Sequence, residues 1–90
     1  MNGWKNWETW LFALHFMDHL HDRVPELHED GEFRNATDLE DWLKEFLDDY
    51  LHETVGTGDT FVNDIMNGFT GDVDYREIAQ HLIEDGELTF

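Results

Sequence analysis

The chain has 90 residues, and its 22 acidic residues against 5 Lys and Arg give a formal net charge of −17, which excludes direct binding to nucleic acid or anionic lipid, since both need positive charge. Seven Phe and four Trp exclude a disordered acidic tail, and the absence of cysteine excludes disulfides and thiolate metal sites. The length predicts one domain over residues 1–90, and without a membrane-spanning run or a signal-peptide pattern we expect a cytoplasmic protein.

The apolar stretch over residues 4–20 predicts a first helix over 7–21, with Asn6 as its N-cap. Its apolar side chains recur at the i, i+3, i+4, i+7 spacing of one helix face: Trp7, Trp10, Leu11, Leu14 and Met17. Phe12 and Phe16 lie nearly opposite that face, so the helix is apolar on almost every side. We therefore predict that it is the central and most buried helix.

The next segment, residues 21–37, is poor in apolar side chains and predicts a long connection. One helical turn inside it could begin at Pro25 and end at Gly31. The segment also carries four acids within seven residues, namely Glu26, Glu29, Asp30 and Glu32.

A second helix is predicted over 38–54, where Thr37 and Glu40 fit the capping-box pattern and Gly56 supplies the stop. Its apolar stripe extends over about four turns and consists of Leu39, Trp42, Leu43, Phe46, Leu47, Tyr50 and Leu51. The other faces are strongly acidic, with Lys44 as the only base.

Two shorter helices are predicted over 60–67 and 75–84, after a turn at 57–59. Gly68 and Gly71 interrupt the first of them, a capping-box pair begins the second and Gly86 ends it. That pair is Asp74 and Glu77, and we expect Leu88 and Phe90 of the tail to dock on the core. The predicted fold is all-α, a small single-domain bundle of about four helices around a central N-terminal helix.

The two ends of the chain carry recognisable motifs. Residues 6–16, NWETWLFALHF, fit the pattern N-x-E-T-W-x-x-A-L. Residues 73–85, VDYREIAQHLIED, are similar to V-[DN]-W-x-E-I-A-x-x-L-x-E-D, with Tyr75 where Trp is usual. In both motifs the chain resembles small uncharacterised proteins of phages, plasmids and some bacteria. The resemblance implies a helical protein of mobile-element origin and carries no established activity.

Metal binding and catalysis have little support in the sequence. His15 and His19 stand four residues apart on one stripe, where Asp22 could add a third metal ligand, but the full H-E-x-x-H signature is missing. A solvated polar stripe, or histidines paired with neighbouring acids, explains these residues better than a metal site does. The sequence has no nucleophile elbow, phosphate loop or cysteine, so we predict no enzyme and no cofactor.

The acidic surface itself is the strongest indication of function, because a net charge of −17 exceeds the magnitude of about 2–8 that suffices for solubility. Carboxylates four residues apart on a helix rise about 6 Å, which approaches the charge density of DNA when two rows lie side by side. We predict a nucleic-acid mimic that occupies the basic surface of a host defence nuclease, such as a CRISPR effector or a restriction enzyme. The expected contacts are Asp41, Glu45, Asp48, Asp49 and Glu53, followed by Glu26, Glu29, Asp30 and Glu32.

Two alternatives stay open at this point. The chain could be an acidic helical adaptor for another basic protein, including one involved in transcription. It could also be a halophile protein whose acidity is an adaptation to salt, although three Ala and four Val against many Phe and Trp favour that explanation less.

Overall fold

A computed structural model of the protein describes residues 3–56 and 60–90; the turn predicted at 57–59 lies outside these residues. Over the described ranges the chain forms four helices and no strand, which confirms the predicted all-α fold. The helices are α1 (Trp7–Glu29), α2 (Ala36–Val55), α3 (Thr60–Asp72) and α4 (Tyr75–Gly86). In the described part of the chain, no helix is both long enough and apolar enough to cross a membrane.

Helix α1 begins where the sequence predicts, because Asn6 Oδ1 accepts a hydrogen bond from the Thr9 backbone N–H at 2.9 Å. The predicted buried face, however, is wrong. Trp7 and Leu14 are 48% and 62% exposed, whereas Phe12 is 1% exposed. The side chains of α1 that are buried are Thr9, Phe12, Ala13, Leu20, Val24 and Leu27.

The length of α1 explains which face is buried. The long connection predicted over residues 21–37 is wrong, since α1 continues through Pro25 to Glu29. A proline inside a helix removes one backbone hydrogen bond and crowds the preceding turn, so packing must offset that cost. Val24 and Leu27 supply the packing, because both are buried and extend the stripe of Ala13 and Leu20, which lies between Phe12 and the predicted face. Gly31 then ends the helix with φ +81°.

Helix α2 begins two residues earlier than the capping-box pattern indicates. Asn35 is the N-cap, and its Oδ1 accepts from the Asp38 backbone N–H at 2.9 Å. Thr37 therefore lies inside the first turn and is exposed, so its predicted capping pair with Glu40 is wrong. The predicted stop is confirmed, because Gly56 caps the C-terminus of α2 with φ +78°.

Helix α3 continues through Gly68 and Gly71 to Asp72, so the interruption predicted there is wrong. Space around both glycines is open, and the buried Thr70 between them holds the last turn against the core. Helix α4 has the predicted N-cap and ends at Gly86. In the tail, Leu88 packs against the core as predicted, whereas Phe90 is half-exposed beside the His28 ring at 4.9 Å.

Helix α1 packs directly against α3 and α4, and it reaches α2 through aromatic side chains. Helix α4 packs against both α1 and α2, and α3 packs against the same two. The contact between α1 and α2 is aromatic: Phe16 lies 5.4 Å from Phe46 and 4.9 Å from Tyr50, measured between ring centroids. This aromatic seam fixes the side of α2 on which the candidate site lies.

Candidate partner-binding surface

The outer surface of α2 carries a row of four exposed carboxylates, which we call the acid row: Asp41, Glu45, Asp49 and Glu53. Neighbours in the row are four residues apart, so they rise by about 6 Å and lie on one side of the helix. Like charges at this spacing repel by about 0.2–0.5 kcal/mol per pair in an isolated helix. The row is therefore a cost to the free protein that a cationic partner would relieve.

Beside the acid row lies a second row, formed by Trp42, Phe46 and Tyr50, which we call the aromatic row. The rings of Trp42 and Phe46 stack with centroids 5.5 Å apart and an interplanar angle of 20°. Trp42 and Phe46 are half-buried, and Tyr50 is 44% exposed. From α1, the His19 ring stacks on Phe46 at 6.1 Å. The aromatic row thus forms the seam with α1 and still reaches the surface.

The two rows form the walls of one open groove, the acid–aromatic groove. Its volume is about 260 Å³, and its lining consists of Trp42, Glu45, Phe46, Asp49, Tyr50 and Glu53. Three aromatic rings and three carboxylates line it, and none of these residues is a base. The groove therefore offers an apolar surface bordered by uncompensated negative charge.

A shallow depression of about 330 Å³ continues the groove toward the N-terminus of α2, and the two share Trp42 and Glu45. Here the charge is partly compensated, because Arg34 Nε lies 3.2 Å from Asp38 Oδ2. The Arg34 backbone N–H donates to the same carboxylate at 2.9 Å, and this bond, followed by the guanidinium, holds the pKa of Asp38 below its usual value. Glu32 lines the depression as well.

Asp48, which the sequence predicts as a contact together with the acids of α2, lies apart from the acid row. It is half-buried and lines a different cavity, between α2 and α3, with His52 among its neighbours. One residue turns a helix by about 100°, so Asp48 and Asp49 face different cavities. Burial, and after it the Asp48 charge, raise the pKa of Tyr75, whose hydroxyl donates to the Thr70 carbonyl at 2.7 Å. Asp48 thus belongs to the helix packing rather than to the acid row.

Of the four further acids predicted as contacts, which lie near the end of α1, only one adjoins the acid row. Glu32 joins the surface of α2 through the depression described above, and Glu26 pairs with Arg23 at 3.3 Å. Glu29 and Asp30 are exposed at the C-terminus of α1. Over residues 3–56 and 60–90, neither a shared cavity nor an ion pair joins Glu26, Glu29 or Asp30 to the acid row.

The weak metal candidate formed by His15, His19 and Asp22 is not assembled. The two histidine rings contact aromatic rings instead, His15 with Phe16 at 6.4 Å and His19 with Phe46. In the portion of the chain that the structure describes, no three His, Asp or Glu side chains are grouped so that they could hold a metal ion.

The motif residues at the two ends of the chain meet in a hydrogen-bonded clasp between α1 and α4. Thr9 Oγ1 donates to Asn6 Oδ1 at 2.6 Å and accepts from the Asp74 backbone N–H at 2.8 Å. Asp74 in turn accepts from the Glu77 backbone N–H at 3.1 Å, and Glu77 Oε1 accepts from the Lys5 backbone N–H at 2.9 Å. These hydrogen bonds join two helix starts that are distant in sequence.

The aromatic row is the part of the site that the sequence leaves unidentified. The helical spacing places Trp42, Phe46 and Tyr50 in the apolar stripe of α2, and the centre of that stripe, Leu39, Leu43 and Leu47, is indeed buried. The aromatic residues lie at its margin. A usable signal is the acid that stands three residues after each of them, since such pairs lie on the same side of a helix.

Fold and surface together define a small, strongly acidic all-α protein with an exposed carboxylate row and an aromatic groove. The chain belongs to the family of unknown function DUF7249, which it matches over residues 1–88. No curated protein and no solved structure shows significant similarity to the chain.

Proposed function

We propose that the protein is a nucleic-acid mimic that inhibits a host defence nuclease by occupying its basic DNA- or RNA-binding surface. The observation that carries this proposal is the acid row, in which Asp41, Glu45, Asp49 and Glu53 are all exposed on one side of α2. With about 6 Å of rise between neighbours, the row places a charge at about every second phosphate of one DNA strand.

The net charge of −17 supports the same function in a second way. A basic channel and a strongly acidic protein attract each other at long range, which accelerates association by electrostatic steering. Inhibition by occupancy needs no catalytic group and no cofactor. The resemblance of both chain ends to phage and plasmid proteins favours a partner in the host cytoplasm, and CRISPR effectors and restriction enzymes have suitable basic channels.

Two variants with equal changes in charge test the proposal. The first neutralises the acid row with Asp41→Asn, Glu45→Gln and Asp49→Asn. The control neutralises three exposed acids outside the row with Glu26→Gln, Glu29→Gln and Asp30→Asn. The wild type and both variants are each immobilised on a resin and incubated with a bacterial host lysate. Bound proteins are then eluted with duplex DNA and with salt.

We expect the wild type and the control to retain a nuclease that duplex DNA displaces, and the acid-row variant to lose it. The acid-row variant should melt at the same or a higher temperature, because it relieves all three like-charge pairs of the row, at about 0.2–0.5 kcal/mol each. Equal retention by a well-folded acid-row variant would refute the assignment to this row. Failure of DNA to compete with the bound nuclease would refute mimicry.

A further inference from the structure

We infer that the acid–aromatic groove receives an arginine side chain of the basic partner, an inference that rests on the proposed function for the identity of that partner. Mimicry alone needs only carboxylates. The groove adds Trp42, Phe46 and Tyr50, whose spacing of four residues runs parallel to that of the acids. The rings form the seam with α1, and the part of them that still reaches the surface beside the acids is what charge mimicry does not require.

The register of the two rows matches the chemistry of a guanidinium group. Each aromatic residue is followed three residues later by an acid, as in Trp42 with Glu45 and Tyr50 with Glu53, so each pair lies on the same side of the helix. A guanidinium is planar, stacks on aromatic rings and donates up to five hydrogen bonds, two of which can engage one carboxylate. An ammonium group is a compact, strongly hydrated charge that cannot stack in this way.

Charge complementarity selects the occupant. The groove is lined by three carboxylates and by none of the chain's own bases, so an apolar partner would have to leave these charges without counter-charges. The adjoining depression shows the same chemistry satisfied within the chain, because Arg34 pairs there with Asp38 beside Trp42. The groove repeats that arrangement of acid and ring without an arginine of its own.

The test compares two peptide probes of equal length and charge, hexa-arginine and hexa-lysine, titrated into the full chain at matched ionic strength. We expect hexa-arginine to bind about fivefold to tenfold more tightly than hexa-lysine, as aromatic stacking of a cation predicts. In the wild type, the indole N–H resonance of Trp42 should shift more with hexa-arginine than those of Trp4, Trp7 and Trp10. Equal affinity for the two peptides, or a Trp42 resonance that shifts no more than the others, would overturn the inference.

A matched pair of variants locates the selectivity. Tyr50→Leu removes an exposed ring of the groove, and Trp7→Leu removes a similarly exposed ring outside it, since these side chains are 44% and 48% exposed. The ratio of arginine to lysine affinity should fall at least about threefold in Tyr50→Leu and stay unchanged in Trp7→Leu. A folded Tyr50→Leu protein with the wild-type ratio would contradict the inference, and the wild-type indole shifts decide the matter if that variant does not fold.

The peptide titration tests the groove inference, and the DNA competition tests mimicry, so either can be refuted without the other. If both peptides bind equally while DNA still displaces the nuclease, the groove inference is wrong and mimicry stands. If arginine selectivity is observed and DNA does not compete, mimicry is wrong, and the groove is an arginine site for another class of basic protein.

Discussion

Replacing Thr9 with Val removes one hydroxyl group at the clasp between α1 and α4 while keeping the shape of the side chain. Thr9 is fully buried, and its Oγ1 accepts from the Asp74 backbone N–H at 2.8 Å and donates to Asn6 Oδ1 at 2.6 Å. Threonine and valine are both β-branched and have similar helix propensity, so the substitution should affect α1 itself only slightly. The measured change therefore reports the two hydrogen bonds.

The expected loss of stability follows from these bonds. A buried N–H left without a partner costs about 1–3 kcal/mol, and the hydrogen bond to Asn6 contributes about 1 kcal/mol. We expect Thr9→Val to lower the free energy of unfolding by about 2–4 kcal/mol, which for a domain of this size lowers Tm by about 10–30 °C.

The matched control is Thr37→Val. The sequence pattern predicts Thr37 as an N-cap, but in the structure it is exposed within the first turn of α2. It should change stability by no more than about 0.5 kcal/mol. Thermal and urea denaturation followed by circular dichroism measure both variants. If Thr9→Val melts within error of Thr37→Val, the clasp does not stabilise the fold, and the structural explanation of the two terminal motifs is wrong.

Three further predictions concern stability. Phe12→Ala should lower the free energy of unfolding, measured by urea denaturation, by about 3–5 kcal/mol because Phe12 is buried. Trp10→Ala should lower it less, because Trp10 is only half-buried; the reverse order would support the buried face predicted from the sequence. Since burial raises the pKa of Tyr75 in the folded state, its contribution to stability is complete below the unfolded value of about 10 and is lost as pH rises above it. Tyr75→Phe should flatten this alkaline loss of Tm, and an unchanged alkaline slope would contradict it. Finally, Tm should rise as salt increases from about 0.01 M to about 1 M, because screening shortens the range of repulsion from about 30 Å to about 3 Å; a flat profile would show that the acids do not repel one another in the folded protein.

The sequence predicts the end of a helix correctly where the capping interaction lies within one helical turn. Asn6, Asp74 and Gly56 act as the sequence predicts, because a side chain that satisfies a helix end three residues away depends on little else. The same logic misplaces the start of α2, where Asn35 and Thr37 both fit a cap. Local rules do not rank two such candidates, and the additional hydrogen bond from the Arg34 N–H to Asp38 accompanies the earlier start.

The sequence by itself determined the all-α class, the four helices and the excess of negative charge, because these follow from composition and from the 3.6-residue period. Only the tertiary structure decided which face of α1 is buried. Trp7 and Phe12 lie on nearly opposite sides of a helix that is apolar on both. Val24 and Leu27, beyond the predicted end of α1, extend the buried stripe that lies between the two. The same packing holds Phe46 at the seam with α1 and thereby forms the groove beside the acids. The spacing within α2 places each ring and its acid on one side, but only the packing against α1 shows which rings stay at the surface.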